Sequence, residues 1–404
     1  MRFSKSTSWL VFGLLTFAST AAAQDPVAST PADSAEAAAW AVHDYWTPER
    51  MASAEPIPVQ TVVTTEAASQ AAAPRLAGEP GLVSGHPAGG GPFTPKVRLF
   101  ERSEQQAMAT PQSWGTAPTN PLSGPYGPFQ RWTMEGGYLN GPRGYHGKLF
   151  FTLGGNDFVC SATVIGRSTI ATAGHCVSSG AGTFATTFLF CPSYFNGAGG
   201  VHPSRGCWAG VNATTSGGWH FSGDPDYDYG CIVTATTGTL IANKIGNVTG
   251  WSGRAWNWPS EQPVITFGYP QAPPFAGNVI QQTASTEWYN WDAVAGGQVS
   301  KVIGSDLTGG ASGGGWFLGW RAPGAEVVDT DGSNITDPAG VGGPFINGVN
   351  SHKRCTVNCN NPPTAGAGVF WQEMTSPPFL STVPADGDSE EIFAVCLGHV
   401  NNNP

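Results

Sequence analysis

All eight cysteines of this 404-residue chain lie between positions 160 and 396, at 160, 176, 191, 207, 231, 355, 359 and 396. An even count in an exported chain implies a disulfide framework, so the bridges belong to this stretch. Export is legible at the N-terminus, where basic Arg2 and Lys5 precede an apolar run from Trp9 to Phe17 and small Ala21, Ala22 and Ala23 stand before Gln24. Residues 1–23 therefore read as a secretory signal, whose apolar run is shorter than the roughly 20 residues that cross a bilayer. No later segment is long and apolar enough to be a second candidate. A secreted, extracellular chain is expected, with no membrane partner.

The cysteine-free stretch 24–142 is rich in Ala, Pro, Thr, Ser and Gly and shows little sustained periodicity, as a pro-segment or a disordered leader would. From about Tyr145 the texture changes to short β-branched and aromatic runs punctuated by Gly, Asn, Pro and Asp. Residues 143–404 read as one large all-β domain. Eight cysteines allow about 105 pairings, so spacing alone leaves the connectivity open. A metal site at His352, Cys355 and Cys359 competes, but an oxidising compartment favours bridges and no second ligand pair stands at zinc spacing. No metal or organic cofactor is expected. Charged residues make up 11% of the chain and the formal net charge is −10. An acidic chain with few Lys/Arg clusters is a poor partner for nucleic acid.

Three stretches carry chemistry. Residues 306–316 read DLTGGASGGGW and wrap Ser312 in five glycines. Such a cluster is bland in a linker, but informative where backbone must turn tightly and aim its N–H groups. CSATVIGRSTIATAGHC, from Cys160 to Cys176, reads as two strands separated by Gly166-Arg167, with His175 directly after the second. If Cys160 and Cys176 pair, they clamp those strands and hold the turn that carries the imidazole. In SGDPDYDYGCIV (222–233), Asp228 differs from Asp224 and Asp226 by leading straight into an apolar strand, where a carboxylate can be buried and aimed. A serine hydroxyl is a weak nucleophile until a base takes its proton, and an acid that holds the base's tautomer completes the set. Gly310 and Ser312 are the natural N–H donors to the oxyanion that such a reaction builds.

These stretches resemble the motifs of the chymotrypsin/trypsin-like serine endopeptidases. ATAGHC (171–176) is similar to the family's histidine motif, DYGCIV (228–233) to its aspartate motif and GGASGGG (309–315) to its serine motif, in the family's chain order. FGYP (267–270) and GVNSH (348–352) are similar to segments of the glutamyl endopeptidase-like branch. The resemblance implies two six-stranded antiparallel β-barrels with the active site in the cleft between them. It also implies His175, Asp228 and Ser312 as catalytic residues, protein or peptide substrates, and a monomer. Ala311 stands where trypsin-like members carry the aspartate that meets a new N-terminus, so that activation switch is not expected. An insertion falls between Trp320 and Phe345.

Specificity is divided in the sequence. Asp306, six residues before Ser312, stands where trypsin-like relatives keep the acid that meets a substrate Arg or Lys. Its structural alternative is a loop acid bonded to nearby backbone. His352 favours the opposite preference, because the glutamyl branch meets a carboxylate with a pocket histidine. Its offset within GVNSH fits that pattern poorly and favours a surface histidine. Trp251, Trp256 and Trp258 suggest sugar stacking, which core packing outweighs. Two rival functions stand. Gly310-Ala311-Ser312-Gly313-Gly314 also fits G-x-S-x-G, so an α/β-hydrolase esterase would use Ser312 with Asp386 or Asp388 and His399, given a helix after the serine. A catalytically inactive protease-like binding domain is the other.

Overall fold

Gly154 and Gly155 take φ of 59° and 85°, the left-handed pair that a two-residue hairpin turn matched to strand twist requires. They join β7 (His146–Leu153) to β8 (Asn156–Val164), with Leu153 opposite Asn156. The computed structural model describes residues 26–30, 36–57, 60–63, 79–83, 85–86, 110–114, 129–133, 141–195, 205–258, 262–291, 299–318, 344–355, 373–381 and 387–403. The expected signal segment, Asp386, Cys359 and most of the 320–345 insertion lie outside these residues.

Six strands close the first barrel: β7, β8, β9 (Thr169–Thr172), β10 (Thr186–Pro192), β11 (Trp208–Ser216) and β12 (Gly230–Thr234). Pairing runs β11-β10-β7-β8-β9-β12 and returns from β12 to β11, every pair antiparallel. The pairing closes on itself, and inward side chains such as Leu149, Phe151, Ile170, Phe190 and Ile232 fill the interior. The Gly166-Arg167 turn falls where the sequence puts it, with Ile165 N donating to Thr169 O at 2.9 Å.

The second barrel uses β14 (Pro263–Gly268), β15 (Gln281–Trp291), β16 (Ser300–Gly304), β17 (Gly315–Leu318), β18 (Phe345–Val349) and β20 (Glu373–Ser376), ordered β20-β16-β15-β14-β17-β18. Ser351 N, just beyond β18, donates to Thr375 O on β20 at 3.0 Å and draws the two ends of the sheet together. β13 (Gly253–Trp256) adds parallel to β18, and β19 (His352–Cys355) follows Ser351. The fold is the all-β, two-barrel architecture that the resemblance implies. A helix over Ser389–Leu397, N-capped by Asp388, covers the first barrel and is tied to β12 by the Cys231–Cys396 bridge. Among the described residues the other bridges are Cys160–Cys176 and Cys191–Cys207.

The leader departs from the disordered alternative wherever it is described. β1 (Val27–Ser29) extends the first barrel's sheet at β11, and β2 (Glu55–Pro56) lies parallel to β8. β3 (Gln60–Val63) lies parallel to β19, β4 (Gly81–Val83) pairs with β13, and β5 (Thr110–Trp114) pairs with β6 (Phe129–Thr133), which pairs with β15. Helices span Glu36–Tyr45 and Pro48–Ser53, and Met51, Ala54 and Ile57 join the main core. The physical reason is that strand addition uses backbone N–H and C=O groups, which an Ala/Pro-rich composition does not remove except at proline. Trp251 stacks on His86, Trp258 Nε1 donates to Gly81 O at 3.0 Å, and Trp256 packs against Gly81. These aromatics meet the leader.

Candidate active site

β9 ends at Thr172, and the chain then makes one tight helical turn over Gly174–Cys176 that carries His175. The bridge to Cys160 on β8 pins that turn from the adjacent strand. Gly174 is required there, because a Cβ would come within 2.8 Å of the Trp219 ring. Asp228 sits just before β12, fully buried, and grips His175 at two points: His175 N donates to Oδ1 at 2.6 Å and Nδ1 to Oδ2 at 2.8 Å. A proton on Nδ1 leaves Nε2 with its lone pair free to act as a base. Nε2 is buried and has no hydrogen-bond partner among the described residues.

Ser312 lies in the loop between Asp306 and β17. Its carbonyl accepts from Ser161 N at 2.7 Å, and a Cβ on the next residue, Gly313 (φ 80°), would press on Ala173, two positions before His175. The serine loop is thus seated on the strand that delivers the histidine. Ser312 Oγ has no partner among the described residues. Nor does the backbone N–H of Gly310 or of Ser312 find an acceptor there. Gly310 takes φ of 96°, open to glycine and strained for other residues. Two unspent amides beside one unspent hydroxyl are what an oxyanion site requires.

Residues that the motifs do not single out hold this arrangement. Ser351 Oγ donates to Asp228 Oδ2 at 2.5 Å. Asn350 Nδ2 donates to Ala311 O at 3.0 Å and Phe267 O at 2.9 Å, while Asn350 O accepts from Gly313 N at 2.8 Å. Ser161 Oγ donates to Gly310 O at 2.8 Å. The GVNSH string contains both Asn350 and Ser351, so the signal was present without the contacts that explain it.

Burial pushes the Asp228 carboxyl upward, but the His175 charge and hydrogen bond, the His352 charge and the Ser351 hydroxyl outweigh it and hold its pKa at about 2. It therefore stays a carboxylate. His352 is 1% exposed rather than on the surface: its Nδ1 meets Ser351 Oγ and lies 3.6 Å from Asp228 Oδ2, and its ring stands 6.0 Å from that of His175. Burial lowers its pKa to about 4 against the pull of Asp228, so it is neutral at ordinary pH. The position corrects the surface-histidine expectation. It also packs His352 against Asp228, beside the His175 imidazole.

Asp306 has an internal partner, Arg131 of β6, whose Nε donates to Oδ2 at 3.0 Å. Lys353, fully buried nearby, donates to Ser305 O at 3.1 Å and Glu373 O at 2.6 Å, and burial lowers its pKa to about 7 despite the charges of Asp306 and Glu373. The trypsin-like role for Asp306 needs a carboxylate left over for a substrate cation, and in the unprocessed chain that charge is met by Arg131 of the leader.

Among the described residues the esterase constellation has no support. A strand, β17, follows Ser312 where a helix is needed. Asp388 caps one helix by accepting from Glu391 N, and His399 caps the final turn by accepting from Asn401 N. Cys160, His175 and Cys176 gather within metal-ligand reach of one another, but their two sulfurs are joined in a bridge and offer no thiolate.

No family model matches the chain. The glutamyl endopeptidase of Bacillus licheniformis is 30% identical over 158 residues, which cover 38% of this chain and 43% of that protein. The extracellular metalloprotease of Bacillus subtilis is 31% identical over 98 residues, 24% of this chain and 28% of that one. The chain thus spans less than half the length of the curated relatives it matches. Among solved structures, a thermostable serine protease from an extremophilic microorganism is 30% identical, with a TM-score of 0.45, and the match covers 61% of this chain and 96% of that one. The chain belongs to the chymotrypsin/trypsin-like serine proteases. In this family member the three motif residues sit on two barrels, His175 and Asp228 on the first and Ser312 on the second, as the resemblance implies.

Proposed function

We propose that the chain is an exported serine endopeptidase that hydrolyses peptide bonds through Ser312, His175 and Asp228. The observation that carries this reading is the two-point hold of Asp228 on His175, with Nε2 and the Ser312 hydroxyl both unspent in the adjoining loop. His175 takes the proton of Ser312 as Oγ attacks the substrate carbonyl, and the N–H groups of Gly310 and Ser312 meet the oxygen that becomes negative. His175 then hands that proton to the leaving amine, which departs and leaves an acyl-enzyme. Water, deprotonated by the same imidazole, releases the acyl group. Asp228 stays ionised throughout and stabilises the imidazolium. Each step uses a side chain or amide of the chain itself.

Labelling the processed protein with a fluorophosphonate tests the assignment. Ser312 should carry the adduct, His175→Ala should abolish both labelling and peptide hydrolysis, and His399→Ala should leave them intact. An unlabelled but folded protein would instead support the binding-only reading. Segment 1–23 is proposed as the export signal and 24–142 as a pro-segment, with Arg131 and Arg143 as candidate processing points that N-terminal sequencing of the exported form decides.

A further inference from the structure

Both strand edges that flank Ser312 are taken by one short stretch of the leader. On the first barrel, β2 runs beside β8 with Glu55 opposite Phe158 and Pro56 opposite Val159, and Ile57 N donates to Val159 O at 3.3 Å. β8 is the strand whose Ser161 holds the Ser312 carbonyl. On the second barrel, β3 runs beside β19, from Gln60 opposite His352 to Val63 opposite Cys355. β19 starts next to Ser351, the residue bonded to Asp228. Only two residues separate Ile57 from Gln60 in sequence, so the reach of an extended chain puts these anchors within about 11 Å of each other. Gln271 Nε2 holds Ala54 O at 2.7 Å, and a Cβ at Gly309 would come within 2.9 Å of Ile57 O. The leader thus touches the glycine loop next to Gly310. His175 and Ser312 are each 1% exposed.

We infer that residues 54–57 and 60–63 form an autoinhibitory strap, seated on the strand edges that a peptide substrate must use, and that the unprocessed chain is latent for this reason. The inference rests on the peptidase reading above. An extended peptide binds a sheet edge through backbone N–H and C=O groups, and a strap that already uses those groups excludes it. Because the strap is tethered to the barrel it covers, it competes at a high effective concentration, and removing the tether by processing ends that advantage.

The test compares rates of fluorophosphonate labelling at Ser312 in the full chain, in its Ile57→Asp and Thr61→Pro variants, and in Gln271→Ala. Ile57→Asp puts a charge at a buried leader position, and Thr61→Pro removes a strand N–H opposite Lys353. Both should be labelled about tenfold faster than the unaltered full chain or more. Gln271→Ala, which removes the hydrogen bond to Ala54 O together with the one received from Lys148, should give about fivefold. A synthetic peptide of residues 54–63 should slow labelling of the released variants again. If the unaltered full chain labels as fast as all three variants, the strap is overturned while the peptidase reading stands. If no form labels, processed protein included, the peptidase reading fails and the strap falls with it.

Discussion

Asp228 receives three hydrogen bonds, two from His175 and one from Ser351, and the two partners set different expectations. Asp228→Asn keeps the shape but favours the wrong imidazole tautomer. In the serine protease triad the equivalent change costs about ten-thousand-fold in kcat, and a loss of that order is expected here with the fold intact. Ser351→Ala removes a bond to a charged group and should lower kcat about ten- to a hundredfold with KM nearly unchanged. Steady-state kinetics on a peptide substrate separate the two. The histidines predict an acid limb of stability. His352 and His146 are buried with pKa values lowered from 6.5 to about 4 and about 3. Below pH 6.5 the unfolded chain takes up protons that these folded side chains refuse, so stability falls as pH drops from 6.5 toward 4 and 3. Asp228, lowered from 3.8 to about 2, adds a further loss as pH falls from about 4 to 2. Urea unfolding of His352→Asn should therefore depend less on pH between 7 and 4 than that of the unaltered protein.

Among the elements, the turn that carries His175 and the loop that carries Ser312 show how local sequence and packing divide the work. The Cys160–Cys176 bridge closes a loop of sequence separation 16. Replacing both cysteines with serine should destabilise the protein by about 3 kcal/mol, measured by reversible denaturation. The glycines of 309–315 are demanded by contact rather than by a linker role. A Cβ at Gly314 would overlap the Phe267 carbonyl oxygen, so Gly314→Ala should displace the loop and abolish labelling while far-UV circular dichroism stays all-β. The motifs were legible because each is short and each residue's neighbours in sequence are its neighbours in space. Asn350 and Ser351 were not, since their partners lie 39 and 123 positions away. Nothing in the string GVNSH reports that separation.

Across the whole molecule, the leader is built into the sheets rather than appended to them. β1 and β2 extend the first barrel's sheet, β4 and β6 extend the second's, and Arg131 meets Asp306 across the leader boundary. A chain beginning at residue 143 should refold in lower yield than the full chain, and adding the 24–142 segment in trans should restore part of it, as peptide hydrolysis after refolding would report. Wherever a residue's role depends on what lies next to it along the chain, the sequence alone determined it: the short strand runs, the turn at Gly166-Arg167, and the histidine, aspartate and serine motifs. Tertiary structure alone decided which carboxylates remain available, why His352 is buried beside Asp228, and where the leader lies. Those outcomes depend on through-space pairing of charges and backbone groups, and composition does not record which distant edge a strand will find.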